Sequence, residues 1–115
     1  MMRALLTAAA LLLVPGNLAA ASDFTTQRYA CDRGVMVPAT YVNAAEGGAA
    51  EGGVVVLHVD GAQLTLISEP SASGARYGWP SGGSGYVWWT KGDEATLYWK
   101  TPEGEEPLLT CAASG

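Results

Sequence analysis

The sequence predicts an all-β fold: a small antiparallel β-barrel of about seven or eight strands, closed by one disulfide. Three observations carry that expectation. Helix signals are nearly absent after residue 21, while short runs of β-branched and aromatic residues recur, each ended by glycine, proline or aspartate. One boundary is Asp60-Gly61 between two apolar runs, a dipeptide that favours a type I′ hairpin because both central residues need positive φ. The third observation is a pair of cysteines, Cys31 and Cys111, near the two ends of the chain that follows the leader. Short antiparallel strands with frequent turns suit a sandwich or a barrel, and a link from first strand to last favours closure.

The leader comes first. Met1-Met2-Arg3 is a minimal positive start, residues 4–14 are an apolar run, and Pro15-Gly16-Asn17 breaks it. Leu18-Ala19-Ala20-Ala21-Ser22 then offers an A-x-A cleavage site after Ala21, the layout of a secretory signal peptide. The apolar run is about half the roughly 20 residues a membrane span needs. Residues 1–21 are thus expected to be a signal peptide and residues 22–115 a single domain. A lipoprotein leader needs a cysteine at the cleavage point, and Cys31 lies well beyond it. The expectation is a soluble periplasmic or secreted protein with no membrane anchor. In an oxidising compartment Cys31 and Cys111 pair, since they have neither C-x-x-C spacing nor company for a metal site. Closing so long a loop stabilises the fold by roughly 4 kcal/mol in the chain-entropy model.

Charge narrows the partners. Cleavage removes one of six basic residues, Arg3, and none of the 11 acidic ones, so the net charge moves from −5 to −6. Such a domain is a poor candidate for nucleic acid or an anionic membrane surface, and it suits a basic protein.

Strands are expected over 24–31 and 34–42, separated by a turn at Asp32-Arg33-Gly34. Residues 44–53 repeat the pentapeptide AAEGG, whose glycines argue for a flexible exposed loop. Residues 54–59 and 62–68 form the arms of the Asp60-Gly61 hairpin. Ala62, Leu64 and Leu66 share one face of the second arm, with Gln63 and Thr65 on the other. A short strand at 76–77 precedes a glycine-rich loop, GWPSGGSG, at 78–85. Strands at 85–90, 94–100 and 108–112 complete the set. The stretch YVWWTKGDEATLYW over 86–99 places Lys91 at the expected tip of an aromatic-rich hairpin. Trp88 and Trp89 are strand neighbours, so one faces in and the other out.

Most chemical constellations fail on spacing. His58 is the sole histidine, with no second metal ligand at a suitable distance in sequence, and reads as a strand residue. Asp60 with Glu69, or Asp93 with Glu94, could pair as carboxylates, but a glycosidase needs a larger groove than this domain builds. Gly82-Gly83-Ser84-Gly85 precedes a strand rather than a helix, unlike a phosphate loop. Ser73 and Lys91 lack S-x-x-K spacing, and a solvated lysine keeps its proton near neutral pH. No enzyme and no cofactor are expected. Exposed aromatics remain, and they fit a protein interface or sugar stacking. An exported carbohydrate- or peptidoglycan-binding module using Trp79, Trp88 or Trp89 is the alternative reading.

Two motifs carry a resemblance. One is Ser-Gly-x-x-Tyr, here Ser73-Gly74-Ala75-Arg76-Tyr77; the other is Tyr-x-x-x-Thr-Lys-Gly, here Tyr86-Val87-Trp88-Trp89-Thr90-Lys91-Gly92. With Tyr29-Ala30-Cys31 and the late Cys111, the chain resembles the MliC/PliC inhibitors of c-type lysozyme from the bacterial envelope. The resemblance implies a small β-barrel that blocks the active-site cleft of c-type lysozyme. It implies that Ser73 and Lys91 meet the enzyme's two catalytic carboxyl groups, while Gly74, Tyr77, Tyr86, Thr90 and Gly92 hold the two loops in shape.

Overall fold

The computed structural model describes residues 23–42, 53–81 and 83–114. The expected signal peptide and nearly all of the AAEGG repeat lie outside them. The described residues form eight strands: β1 (Phe24–Cys31), β2 (Met36–Val42), β3 (Val54–Val59), β4 (Ala62–Glu69), β5 (Ala75–Gly78), β6 (Gly85–Lys91), β7 (Glu94–Thr101) and β8 (Gly104–Ser114). Each pairs antiparallel with the next, and β8 returns to β1, closing an up-and-down barrel.

Period-two alternation sorts the side chains. Val55 and Leu57 on β3 face Leu64 and Leu66 on β4, and all four are buried. The core continues through Tyr77, Trp88, Leu97 and Leu109 on the later strands. Closure removes the exposed edges that an open sheet of this size would present. The Cys31–Cys111 disulfide lies at the seam, joining residues that are register partners on β1 and β8.

Local chemistry explains the corners. Asp60 (φ 51) and Gly61 (φ 82) both take the left-handed region, the pair of conformations a type I′ turn requires. Asp32–Gly34 forms a single 3-10 turn, and the Asp32 carboxylate accepts the Thr110 backbone N–H at 3.2 Å. Three aromatic polar groups enter the interior together. The Trp88 indole N–H donates to the Tyr41 hydroxyl at 3.0 Å, and the Tyr29 and Tyr41 hydroxyls lie 2.7 Å apart. Trp88 is thereby satisfied while 0% exposed.

Candidate functional site

The two motifs meet at one end of the β5–β6 pair. Ala75 is the register partner of Thr90, so the loop before β5 lies beside the last residues of β6. Thr90 adds a long side-chain bond, its hydroxyl donating to the Ala75 carbonyl at 3.4 Å. Gly74 takes φ +67, and a Cβ there would overlap the Thr90 carbonyl oxygen and approach Lys91 Cγ to 2.8 Å. The motif glycine is therefore what lets the Ser73 loop press against β6. Tyr77, 1% exposed, points into the core and packs 5.8 Å from Tyr41, centroid to centroid.

Lys91 does not sit at the hairpin tip. It is the last residue of β6 and the register partner of Glu94, leaving Gly92 and Asp93 as a two-residue turn. Gly92 has φ +59 and Asp93 has no positive φ, the pattern of a type II′ turn with glycine at the first central position. The Asp93 carbonyl accepts the Ala113 N–H at 2.7 Å, tying the turn to β8.

Trp88 and Trp89 split as alternation requires, Trp88 inside and Trp89 half-buried on the outer wall. The Trp89 ring lies beneath the Lys91 ammonium, with Nζ 4.3 Å from its centroid. Its indole N–H donates to the Ser73 carbonyl at 2.9 Å, an oxygen that also accepts from the Ser71 hydroxyl at 2.6 Å. Among the described residues no ion pair engages Lys91. A groove of about 210 Å³ runs beside it, lined by Trp89, Lys91, Glu94, Ala95, Thr96 and Tyr98.

Behind Trp89 lies a charged cluster that sequence reasoning missed. Arg76 Nε donates to Glu69 at 2.6 Å, and both terminal nitrogens of Arg76 bind the Glu105 carboxylate. The Glu105 bonds, opposed by partial burial and aided by Glu69, hold the Arg76 pKa above its already high ordinary value. The missed signal was Arg76 itself, a large cation at a variable position of the first motif with two carboxylates elsewhere in the chain.

The other candidates fall apart. His58 is exposed on β3, and no metal-binding cluster forms among the described residues. Glu69 is committed to Arg76, and Asp60 is a turn residue. Trp88 is enclosed, so it cannot stack on a sugar, while Trp79 is 40% exposed and packs edge-on to Tyr86. Tyr86 in turn packs edge-on to Trp99, far along β6 from Lys91.

The family model described as membrane-bound lysozyme inhibitor of c-type lysozyme matches residues 29–106. A protein of Cupriavidus necator named membrane-bound lysozyme inhibitor of C-type lysozyme is 41% identical over 75 residues, 65% of this chain and 53% of that protein. A Pseudomonas aeruginosa protein of the same name is 38% identical over 98 residues, 84% of this chain and 67% of that protein. The chain thus spans about half the length of the first relative and two thirds of the second. Both are named membrane-bound, which lends no support to the expectation of a protein without a membrane anchor. Both motifs lie within the matched segment, on the closed eight-strand barrel described above, and the chain belongs to the MliC family.

Proposed function

We propose that this protein is an inhibitor of c-type lysozyme in the bacterial envelope, which plugs the active-site cleft with Lys91 and Ser73. The observation that carries the reading is the exposed Lys91 ammonium, held beside the Ser73 loop with no ion pair among the described residues. The names of the relatives support the target and the envelope location.

The chemistry fits. A lysozyme of this class works with one protonated carboxyl group and one ionised carboxylate. An ammonium pairs with the ionised group, and a serine hydroxyl can donate to or accept from the protonated one. At about 4 Å and an effective dielectric of about 20, the ion pair gains about 4 kcal/mol before desolvation is subtracted. The acidic balance of the chain speeds encounter with a basic enzyme and makes association salt-sensitive.

A bacterial-cell lysis assay tests this, using c-type lysozyme, the oxidised protein, and the variants Lys91→Ala and Ser73→Ala. Dose-dependent protection that weakens in both variants is the expected result. No protection by the folded protein against several c-type lysozymes would refute the function. Equal protection by all three proteins would refute the site.

A further inference from the structure

We propose that Trp89 is the positioning residue of the inhibitory surface: its ring carries Lys91 and its indole N–H anchors Ser73, so one side chain sets both loops in register. This rests on the inhibitor reading above and adds a residue that is not among the fixed positions of either motif.

The placement follows from the strand. Residues 89 and 91 share the outer face of β6, so the lysine stem runs back over the indole and brings Nζ to 4.3 Å from the ring centroid. A free lysine samples many rotamers, and ordering it only on binding would subtract from affinity. A cation–π contact in the unbound protein restricts that sampling beforehand. At the ring's polar edge, the N–H to Ser73 at 2.9 Å fixes a loop whose residues are all exposed.

The ring has its own support. Arg76 is the cross-strand partner of Trp89, and its guanidinium carbon lies 5.1 Å from the same centroid. Two cations against one indole would repel if both were bare. Arg76 is not bare: Glu69 and Glu105 neutralise it and lock its fork, leaving its side chain 13% exposed. The connected order is Glu69 and Glu105, then Arg76, then Trp89, then Lys91 and Ser73. Trp89 stands on the outer wall rather than in the core, so its removal leaves the barrel interior intact.

The test compares Trp89→Phe and Trp89→Leu, each oxidised and checked for native circular dichroism, with two readouts. The first needs no lysozyme: the NMR shifts of the Lys91 side-chain protons in the free protein. Ring current should move them upfield in the wild type and in Trp89→Phe, and Trp89→Leu should return them to ordinary lysine values. The second readout is inhibition, where Trp89→Leu should weaken the protein about tenfold, the scale of one lost cation–π contact plus one lost hydrogen bond. Trp89→Phe, which keeps a ring but not the N–H, should fall between. In a Lys91→Ala background, Trp89→Leu should cost distinctly less than in the wild type. Unshifted Lys91 protons in the wild type would overturn the proposal, and so would equal costs with and without Lys91. A shifted lysine in a wild type that fails to inhibit would uphold the placement and sink the inhibitor reading instead.

Discussion

Gly74→Ala should destabilise the barrel far more than an alanine at another left-handed glycine. At Gly74 two penalties combine. The φ of +67 lies where an L-residue is strained, a cost of about 1–2 kcal/mol. The added methyl also overlaps the Thr90 carbonyl oxygen and comes within 2.8 Å of Lys91 Cγ. Backbone cannot yield as a side-chain tip can, so β5 must lift from β6, and overpacking of this kind costs about 1–3 kcal/mol more. The sum is about 2–5 kcal/mol. Gly61 supplies the control, because it has φ +82 and nothing within 4 Å of a Cβ. Gly61→Ala should therefore show the conformational penalty alone, about 1–2 kcal/mol. Urea unfolding of the oxidised proteins, followed by circular dichroism, measures both. With a slope of about 1–2 kcal/mol per molar urea, the extra overpacking cost should make Gly74→Ala unfold about 0.5–3 M earlier than Gly61→Ala. Equal midpoints for the two variants would refute the close-approach reasoning.

Three further outcomes are expected. Replacing Cys31 and Cys111 by serine frees a loop with a sequence separation of 80 and should cost about 4.5 kcal/mol in the chain-entropy model, read as a lower urea midpoint. Arg76→Met strands Glu69 and Glu105 on the outer wall and should cost about 1–2 kcal/mol, with Glu69→Gln in the same background recovering part of it. Burial raises the pKa values of Tyr29, Tyr41 and Tyr77 above the ordinary 10.0, so the fold favours their neutral forms. That stabilisation is complete below pH 10.0 and is lost above it, at about 1.4 kcal/mol per pH unit for each tyrosine ionised only in the unfolded chain. A urea midpoint unchanged between about pH 9 and about pH 11 would contradict this.

Features set by local chemistry were legible in the sequence. Asp60-Gly61 announces its turn because only a few dipeptides accept two positive φ values. The opposite faces of Trp88 and Trp89 follow from the pleat alone. The closing disulfide followed from two cysteines in a chain whose leader predicts export. Features set by strand register were not legible. Trp89 reaches Ser73 only because Ala75 pairs with Thr90, a register that closure of the whole barrel imposes. The start of β8 was hidden as well. Gly104-Glu105-Glu106-Pro107 reads as a loop, yet it is paired strand, with Pro107 accommodated next to an irregularity at Leu97/Tyr98. Glu105 was thereby overlooked as a partner for Arg76. The polar run 91–94 looks uniform in the sequence and puts Lys91 at a hairpin tip, whereas its pairing with Glu94 leaves Gly92 and Asp93 to turn the chain.

Binding to c-type lysozyme with its cleft empty or filled separates a cleft plug from a complex formed elsewhere on the enzyme. Calorimetric titration would use wild type and Lys91→Ala, with and without a saturating oligosaccharide that occupies the cleft. The wild type should bind the empty enzyme, and the sugar should displace it. Lys91→Ala should bind the empty enzyme about 2 kcal/mol more weakly, or roughly thirtyfold. Binding that is equally tight with the cleft filled, and indifferent to the loss of Lys91, would rule out cleft plugging by this lysine.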